Sequence, residues 1–294
     1  MDTQFLETLK IVIDSGSFAE AGRQLNLTPA AVAQRVRAVE VEIGTALVSR
    51  FGRTVQPTAA GAAITARIGS LLGQVRDLKA LAAGELVIGE LRLGAIATAV
   101  TGLIPQVLKD LTARHPQIEV YVMPGTSGDL YQRVTDGDLD VAVIVQPSFV
   151  VPKTLAWRTL REEPLVVIAP AGLPMDDPHA LLMQQPFIRY DHNHWGGRLA
   201  DNYLRQAGIR PRERFELDAL DAIAVLVDRG LGVSLVPDWA PPWPAGLSLN
   251  KTLAPMPGHT RHIGVVWRRA SARTGLINAF LDETQPLGRA AATA

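Results

Sequence analysis

Between Arg23 and Arg67 the chain carries Arg23, Arg35, Arg37, Arg50, Arg53 and Arg67 against only Glu40 and Glu42. Clustered guanidinium groups suit phosphate binding, because each neutralises a backbone charge and releases counterions. Over all 294 residues, 29 Lys and Arg balance 29 Asp and Glu, so any nucleic-acid surface must be local. A second constellation is Asp191-His192-Asn193-His194-Trp195, whose imidazoles and carboxylate are zinc-ligand types. Residues two apart share a face only in a strand, and turn residues follow the strand end at Tyr190, so no metal is assigned from sequence. The chain has no Cys, which removes disulfides, thiolate zinc sites, iron–sulfur clusters and thiol nucleophiles together. Gly-x-Ser-x-Gly, His-Glu-x-x-His and Walker patterns are missing, as is Gly-x-Gly-x-x-Gly after a strand. Neither an enzyme nor a cofactor is therefore expected. Asp138 and Asp140 alternate about a strand entrance, which suits a turn better than a catalytic carboxylate pair.

The elements that must position these groups come in two kinds. Residues 1–58 read as short helices with tight connections. Phe5, Leu9, Val12 and Ile13 give an amphipathic first helix ending near Ser15-Gly16. Ser17-Phe18-Ala19-Glu20 has the form of a capping box, with Glu20 able to reach back. Thr28-Pro29 then caps a third helix running to about Ile43, closed by Gly44. Small residues at Ala19, Ala21 and Gly22 permit a close helix crossing, the arrangement of a helix-turn-helix and equally of other compact helical corners. Val48–Val55 has the content of a short hairpin, a wing beside the helices. Thr58 caps a helix over about 59–83, roughly 37 Å long. Its Ile64, Ile68, Leu71, Val75 and Leu78 repeat at coiled-coil spacing, which predicts dimerisation; a helix packed on its own domain shows the same spacing.

After Gly84, strand-sized runs at 91–96, 118–123, 140–145, 165–169, 186–190, 215–218, 233–237 and 263–267 alternate with helical patterns at 100–115, 129–136, 197–207 and 220–229. That alternation predicts a parallel-rich α/β region with ligands at strand C-terminal ends, and about 200 residues is long enough for two lobes. No apolar stretch approaches the ~18 to 20 residues of a membrane span, and MDTQFLETLK lacks the form of a secretory signal. A cytoplasmic address without a membrane partner is the default expectation.

The run from Phe18 to Glu40 (FAEAGRQLNLTPAAVAQRVRAVE), with Gly44, Leu47, Arg50 and Pro57-Thr58-Ala59-Ala60-Gly61, resembles the LysR-type transcriptional regulators. Gly137–Ala142 and Gly230–Pro237 look like two landmarks of that family's effector region. The resemblance implies an α+β multidomain chain of three parts. These are a winged helix-turn-helix over 1–58, a linker and dimerisation helix over 59–89, and a two-lobed α/β domain similar to periplasmic binding proteins over 90–294. Residues 163–262 would supply most of the second lobe. Double-stranded DNA, a small-molecule effector of carboxylate type, and self-association into dimers or tetramers are the implied partners. Pro29, Ala33 and Val48 depart from the usual pattern, so the docking mode is implied rather than an operator sequence.

On the reading helix, Thr28, Pro29, Ala30, Ala31, Gln34, Arg35 and Arg37 are the candidates to face DNA. Gln34 and Arg35 would reach base edges, and Ala30 and Ala31 would admit a thymine methyl. Thr28, Arg37, Arg50 and Arg53 would hold phosphates. In the effector region the resemblance points to Ala97, Thr98, Thr126, Ser127, Gln146, Asn193 and His194, the hydroxyls among them being equally able to serve as helix caps. A zinc hydrolase using the His192/His194 region and a non-specific architectural protein are the competing functions. Stoichiometric zinc would favour the first, and equal binding to scrambled DNA the second.

Overall fold

Short polar side chains start the first three helices, and residues in left-handed conformation end them. A computed structural model describes residues 2–51, 54–82, 87, 89–271 and 273–285. Asp2 accepts from the Gln4 amide to start α1 (Thr3–Ser15), and Ser17 accepts from Glu20 to start α2 (Phe18–Leu25). Thr28 accepts from Ala31, with Pro29 in the first turn, to start α3 (Pro29–Ile43). Gly16, Asn26 and Gly44 close them at φ of 63°, 54° and 83°. The predicted capping box is only half made, because the Glu20 carboxylate turns to Arg23 instead of reaching back. Gly22 is required by closeness: a Cβ there would lie 2.6 Å from the Leu27 carbonyl oxygen, in the turn that joins α2 to α3.

The wing is β1 (Val48–Phe51) paired antiparallel with β2 (Thr54–Pro57), and α4 (Ala59–Ala82) follows. Glu40 ties the wing to the reading helix by accepting from the Leu47 and Val48 amides at 2.8 and 3.1 Å. Leu9, Val12, Ala21, Val32, Val36, Leu47, Val55 and Ile68 form one buried cluster, joined at its edge by Ile64 and Leu72. Each Val, Leu or Ile side chain among them contributes about 1.5–3 kcal/mol on burial. The predicted seam along α4 is thus divided. Ile64 and Ile68 pack into their own head, whereas Leu71 and Leu78 are 42% and 66% exposed.

The chain forms two compact units, Met1–Gly84 with Asp136–Asp138, and Glu85–Thr135 with Leu139–Ala294. The second contains, in order, β3 (Gly89–Ala95), α5 (Ala97–Gly102), α6 (Ile104–Arg114), β4 (Ile118–Pro124), α7 (Ser127–Asp136) and β5 (Val141–Val145). There follow β6 (Leu155–Pro170), α8 (Pro178–Gln184), β7 (Pro186–Tyr190), α9 (Trp195–Gln206), β8 (Arg212–Leu217) and α10 (Leu220–Asp228). β9 (Ser234–Pro237), β10 (Leu249–Leu253), β11 (Thr260–Arg268) and α11 (Thr274–Glu283) complete it. The single helix expected over 100–115 is two, because Pro105 has no amide hydrogen to bond back to a preceding turn and so stands in the first turn of a new helix.

Two sheets share one long strand. β4, β3 and β5 are mutually parallel, and β11 then pairs antiparallel with β5 and with β6 up to Pro164. From Leu165 onward β6 pairs instead with β9 and β10, in the second lobe. There the parallel pair β7 and β8 joins through Phe187 opposite Val233, fastened by the Ile188 amide donating to the Val233 carbonyl at 2.9 Å. β5 is buried at all five positions, as its all-aliphatic sequence requires of a strand covered on both faces. Asp140 closes its entrance by accepting from the Arg92 amide and pairing with Arg273 at 3.2 Å, a structural role.

Candidate functional site

Two regions concentrate the candidate residues, one in each unit. In the head, α3 buries Val32, Val36 and Val39. Its opposite stripe is exposed at Ala30, Gln34, Arg37 and Val41, steps of four, three and four that hold one face over three turns. Thr28 and Pro29 are exposed at its start and Ala31 is half-buried, while the Thr28 hydroxyl accepts from Ala31. Arg35 does not join this stripe. Its guanidinium donates to Thr8 Oγ1 at 3.3 Å and lies 5.5 Å from the centre of the Phe5 ring, so it fastens α3 to α1. Arg50, exposed on β1, lies over the Phe18 ring at 5.3 Å. Arg53 lies outside the described residues. The exposed polar side chains of the stripe are therefore Gln34 and Arg37.

In the second unit a cavity of 440 Å³ opens between the lobes. Its walls are the carboxyl ends of strands and the starts of helices, where an α/β sheet places its ligands. Ala97 and Thr98 follow β3, Thr126 and Ser127 follow β4, Val145 ends β5, and Tyr190 ends β7 with Asn193 and His194 after it. Of the seven expected effector residues, only Gln146 falls elsewhere. It lines a neighbouring 270 Å³ cavity with Arg198 and His262, because the backbone has passed the strand end and turned toward β11.

The hydroxyls in the cavity have different duties. Thr126 Oγ1 donates to Asp129 Oδ2 at 2.9 Å and accepts from the Asp129 amide at 3.3 Å, so it is a helix cap. Ser127 Oγ accepts from the Val145 amide at 3.1 Å, and Thr98 Oγ1 accepts from Arg261 Nη2 at 3.3 Å. Both residues are more than nine-tenths buried, and neither hydroxyl hydrogen has an acceptor among the described residues. Tyr190, also buried, supplies a third hydroxyl facing Arg261. Burial pushes its phenol above the ordinary value of 10.0 against the opposing pull of the guanidinium, so its proton stays in place.

Arg261 is the residue that sequence reasoning missed. It is 2% exposed and forms a buried ion pair with Glu163, Nε to Oε2 at 2.7 Å and Nη2 to Oε2 at 2.5 Å. Glu163 also accepts from the Ala240 amide at 3.1 Å and lies 3.3 Å from Arg161 Nε. No local pattern marks this pair, whose members lie on neighbouring strands 98 positions apart in sequence. Asp218, exposed after β8, adds a carboxylate at the rim. Trp195, at the start of α9, closes one side by packing edge-on to Phe149 at 5.7 Å and tilted against Tyr131 at 5.9 Å. Asn193 is held in a turn, its amide and Nδ2 donating to Asp191 Oδ1 at 2.8 and 2.9 Å. Those bonds hold the Asp191 carboxyl below the usual carboxylate range.

No helix among the described residues is long and apolar enough to cross a membrane. Residues 3–62 match the bacterial regulatory helix-turn-helix proteins of the lysR family, and residues 84–287 match the LysR substrate binding domain. The chain is 30% identical over 279 residues to a probable hydrogen peroxide-inducible genes activator of Mycobacterium leprae, covering 92% of this chain and 88% of that one. It is 26% identical over 246 residues to the transcriptional regulator IlvY of Escherichia coli, covering 81% and 82%. Among solved structures, a full-length OxyR variant from Pseudomonas aeruginosa shares the fold at a TM-score of 0.70 with 23% identity, over 97% of this chain and 95% of that one. Full-length CbnR complexed with its target DNA shares it at 0.65 with 20% identity, over 98% and 100%. With a reading head and a two-lobed binding unit both matched along their lengths, the chain belongs to the LysR family of DNA-binding transcriptional regulators.

Proposed function

We propose that this regulator is controlled by a small oxyanion, a carboxylate foremost, bound in the 440 Å³ cavity between its lobes. This reading rests on the hydroxyls of Thr98, Ser127 and Tyr190. A hydroxyl offers one donor and two acceptor sites. The Thr98 and Ser127 oxygens each already accept from one protein donor and the Tyr190 oxygen faces the Arg261 guanidinium, so each hydroxyl keeps its hydrogen and one lone pair for a ligand. Three hydroxyl hydrogens beside a guanidinium favour a ligand rich in acceptors. The amino ends of α7 and α9 meet the same space and favour negative charge.

Hydrogen peroxide names the Mycobacterium leprae relative; this chain has no Cys, so a thiol or disulfide switch is not open to it. Binding between lobes stabilises the closed arrangement in proportion to its differential affinity. Heads paired through Leu71, Val75 and Leu78 would then shift on two half-sites. Gln34 and Ala30 read bases, with Thr28, Pro29 and Ala31 at the groove edge and Arg37, Arg50 and Arg53 on phosphates.

Thermal unfolding of the full chain against paired ligands tests the effector class. Small carboxylates should raise the unfolding temperature where their primary amides do not, and Thr98→Val should cut that shift. Equal stabilisation by amides, or a shift indifferent to Thr98→Val, would overturn the reading.

A further inference from the structure

We propose that Asp191, His192 and Glu216 form a binding site for a divalent transition-metal ion of the zinc class, on the outer rim of the second lobe. One ligand atom from each residue lies within 4.8 Å of the other two, and His192 Nδ1 is 2.6 Å from Glu216 Oε1. Two carboxylate oxygens and one imidazole nitrogen are a donor set that zinc accepts, with bonds of about 2.0–2.2 Å. A tetrahedral ion would set these atoms roughly 3.4 Å apart. The His192–Glu216 contact must open by about 0.8 Å, and the wider contacts, within 4.8 Å, close by up to about 1.4 Å, to reach that spacing. Both side chains are free to move, at 51% and 40% exposed, and the ion takes the place of the proton they now share.

The backbone beneath them is already fixed. Tyr190 and Leu217 are partners in the β7–β8 ladder, Arg189 is opposite Glu216, and the Asp191 amide donates to the Leu217 carbonyl at 2.8 Å. Two strand ends thus hold Asp191 and Glu216 side by side, a juxtaposition 25 positions apart in sequence and invisible to motif reading. Asp191 is prepared as well: Oδ1 is held by two donors from Asn193, which leaves Oδ2 for an ion, as outer-shell partners of metal ligands do. His194 Nε2 lies 3.6 Å from Oδ2 and is within reach as a fourth donor. Outside a strand, the spacing of His192 and His194 does not bring them to one face. Here His192 turns to Glu216 and His194 to Asp191, so the ligand set is built across strands. Asn193 and His194 also line the effector cavity, so an ion at Asp191 would brace one wall of it. Effector and metal affinities would then be linked reciprocally.

The test is titration of chelator-stripped full-length protein with Zn²⁺ by calorimetry, and with Co²⁺ by visible absorption. The expected result is about one ion per chain. His192→Ala and Glu216→Gln should each weaken binding at least tenfold, on the scale that even outer-shell losses reach, ~10–100-fold. Unfolding temperatures of the metal-free variants should match the parent within about 2 °C, since exposed substitutions of this kind stay within ±0.5 kcal/mol. His262→Ala, which removes another exposed histidine beside a glutamate, should leave the binding intact. Substoichiometric binding, or binding unchanged in His192→Ala and Glu216→Gln, would overturn the proposal.

Discussion

Glu163→Gln should make the second unit less stable and its grip on a carboxylate stronger, two effects with one cause. Glu163 and Arg261 are almost completely buried, so the guanidinium depends on this carboxylate for its counter-charge. Removing one charge of a buried pair costs about 3–5 kcal/mol, because the partner is left desolvated and uncompensated. The substituted amide would keep a carbonyl oxygen for Arg261 or for the Ala240 amide, which places the loss near ~3 kcal/mol, within that range. For a unit of about 200 residues this lowers the unfolding temperature by ~6–12 °C. The assay is built into the sequence: Trp157, Trp195, Trp239, Trp243 and Trp267 all lie beyond residue 84, so tryptophan fluorescence reports this unit and not the head. Freed of Glu163, the Arg261 charge is available to an oxyanion, and a charge-assisted hydrogen bond of ~1.5–3 kcal/mol tightens Kd by at least ~10-fold. If Glu163→Gln proves too unstable to study, the paired Glu163→Leu with Arg261→Met should recover stability, as apolar replacement of a whole buried pair often does, and lose the carboxylate. An unfolding temperature unchanged in Glu163→Gln, or a weakened carboxylate, would refute the compensating-charge argument.

Four further outcomes are expected. Gln34→Ala should relax base preference at one position by ~1–3 kcal/mol, while Arg37→Ala should weaken all duplexes alike, measured by binding to specific and scrambled DNA across salt. Arg35→Ala, by contrast, should destabilise the head, because its bond to Thr8 and its packing on Phe5 are lost. Tyr190→Phe should remove an alkaline limb from the stability profile: a phenol raised by burial stabilises the fold below pH 10.0, and that contribution declines as pH rises from there through the folded pKa. Leu71→Glu with Leu78→Glu should dissociate the oligomer in sedimentation without unfolding the head, whereas Ile68→Glu should unfold it, since only Ile68 lies in the head's core.

The amino-acid sequence by itself determined the head nearly residue by residue. Its helices begin and end on local chemistry: caps at Ser17 and Thr28, stops at Gly16 and Gly44, and a buried face at every third or fourth position of α3. It also marked most strand cores of the second unit, since β5 and β7 are short apolar runs between turn residues. What it could not decide was which long side chains turn inward. Arg35 and Arg37 are two residues apart on one helix, and only the presence of Phe5 and Thr8 on a neighbouring helix separates a structural guanidinium from an exposed one. In the same way Ile64 and Leu71 share a seam until the head covers one of them. The chemistry of the cleft is the extreme case. Arg261 meets Glu163 and Thr98 across 98 and 163 positions. Such a meeting leaves no local trace, because the free energy that holds a buried charge comes from counter-charge and desolvation supplied by other strands.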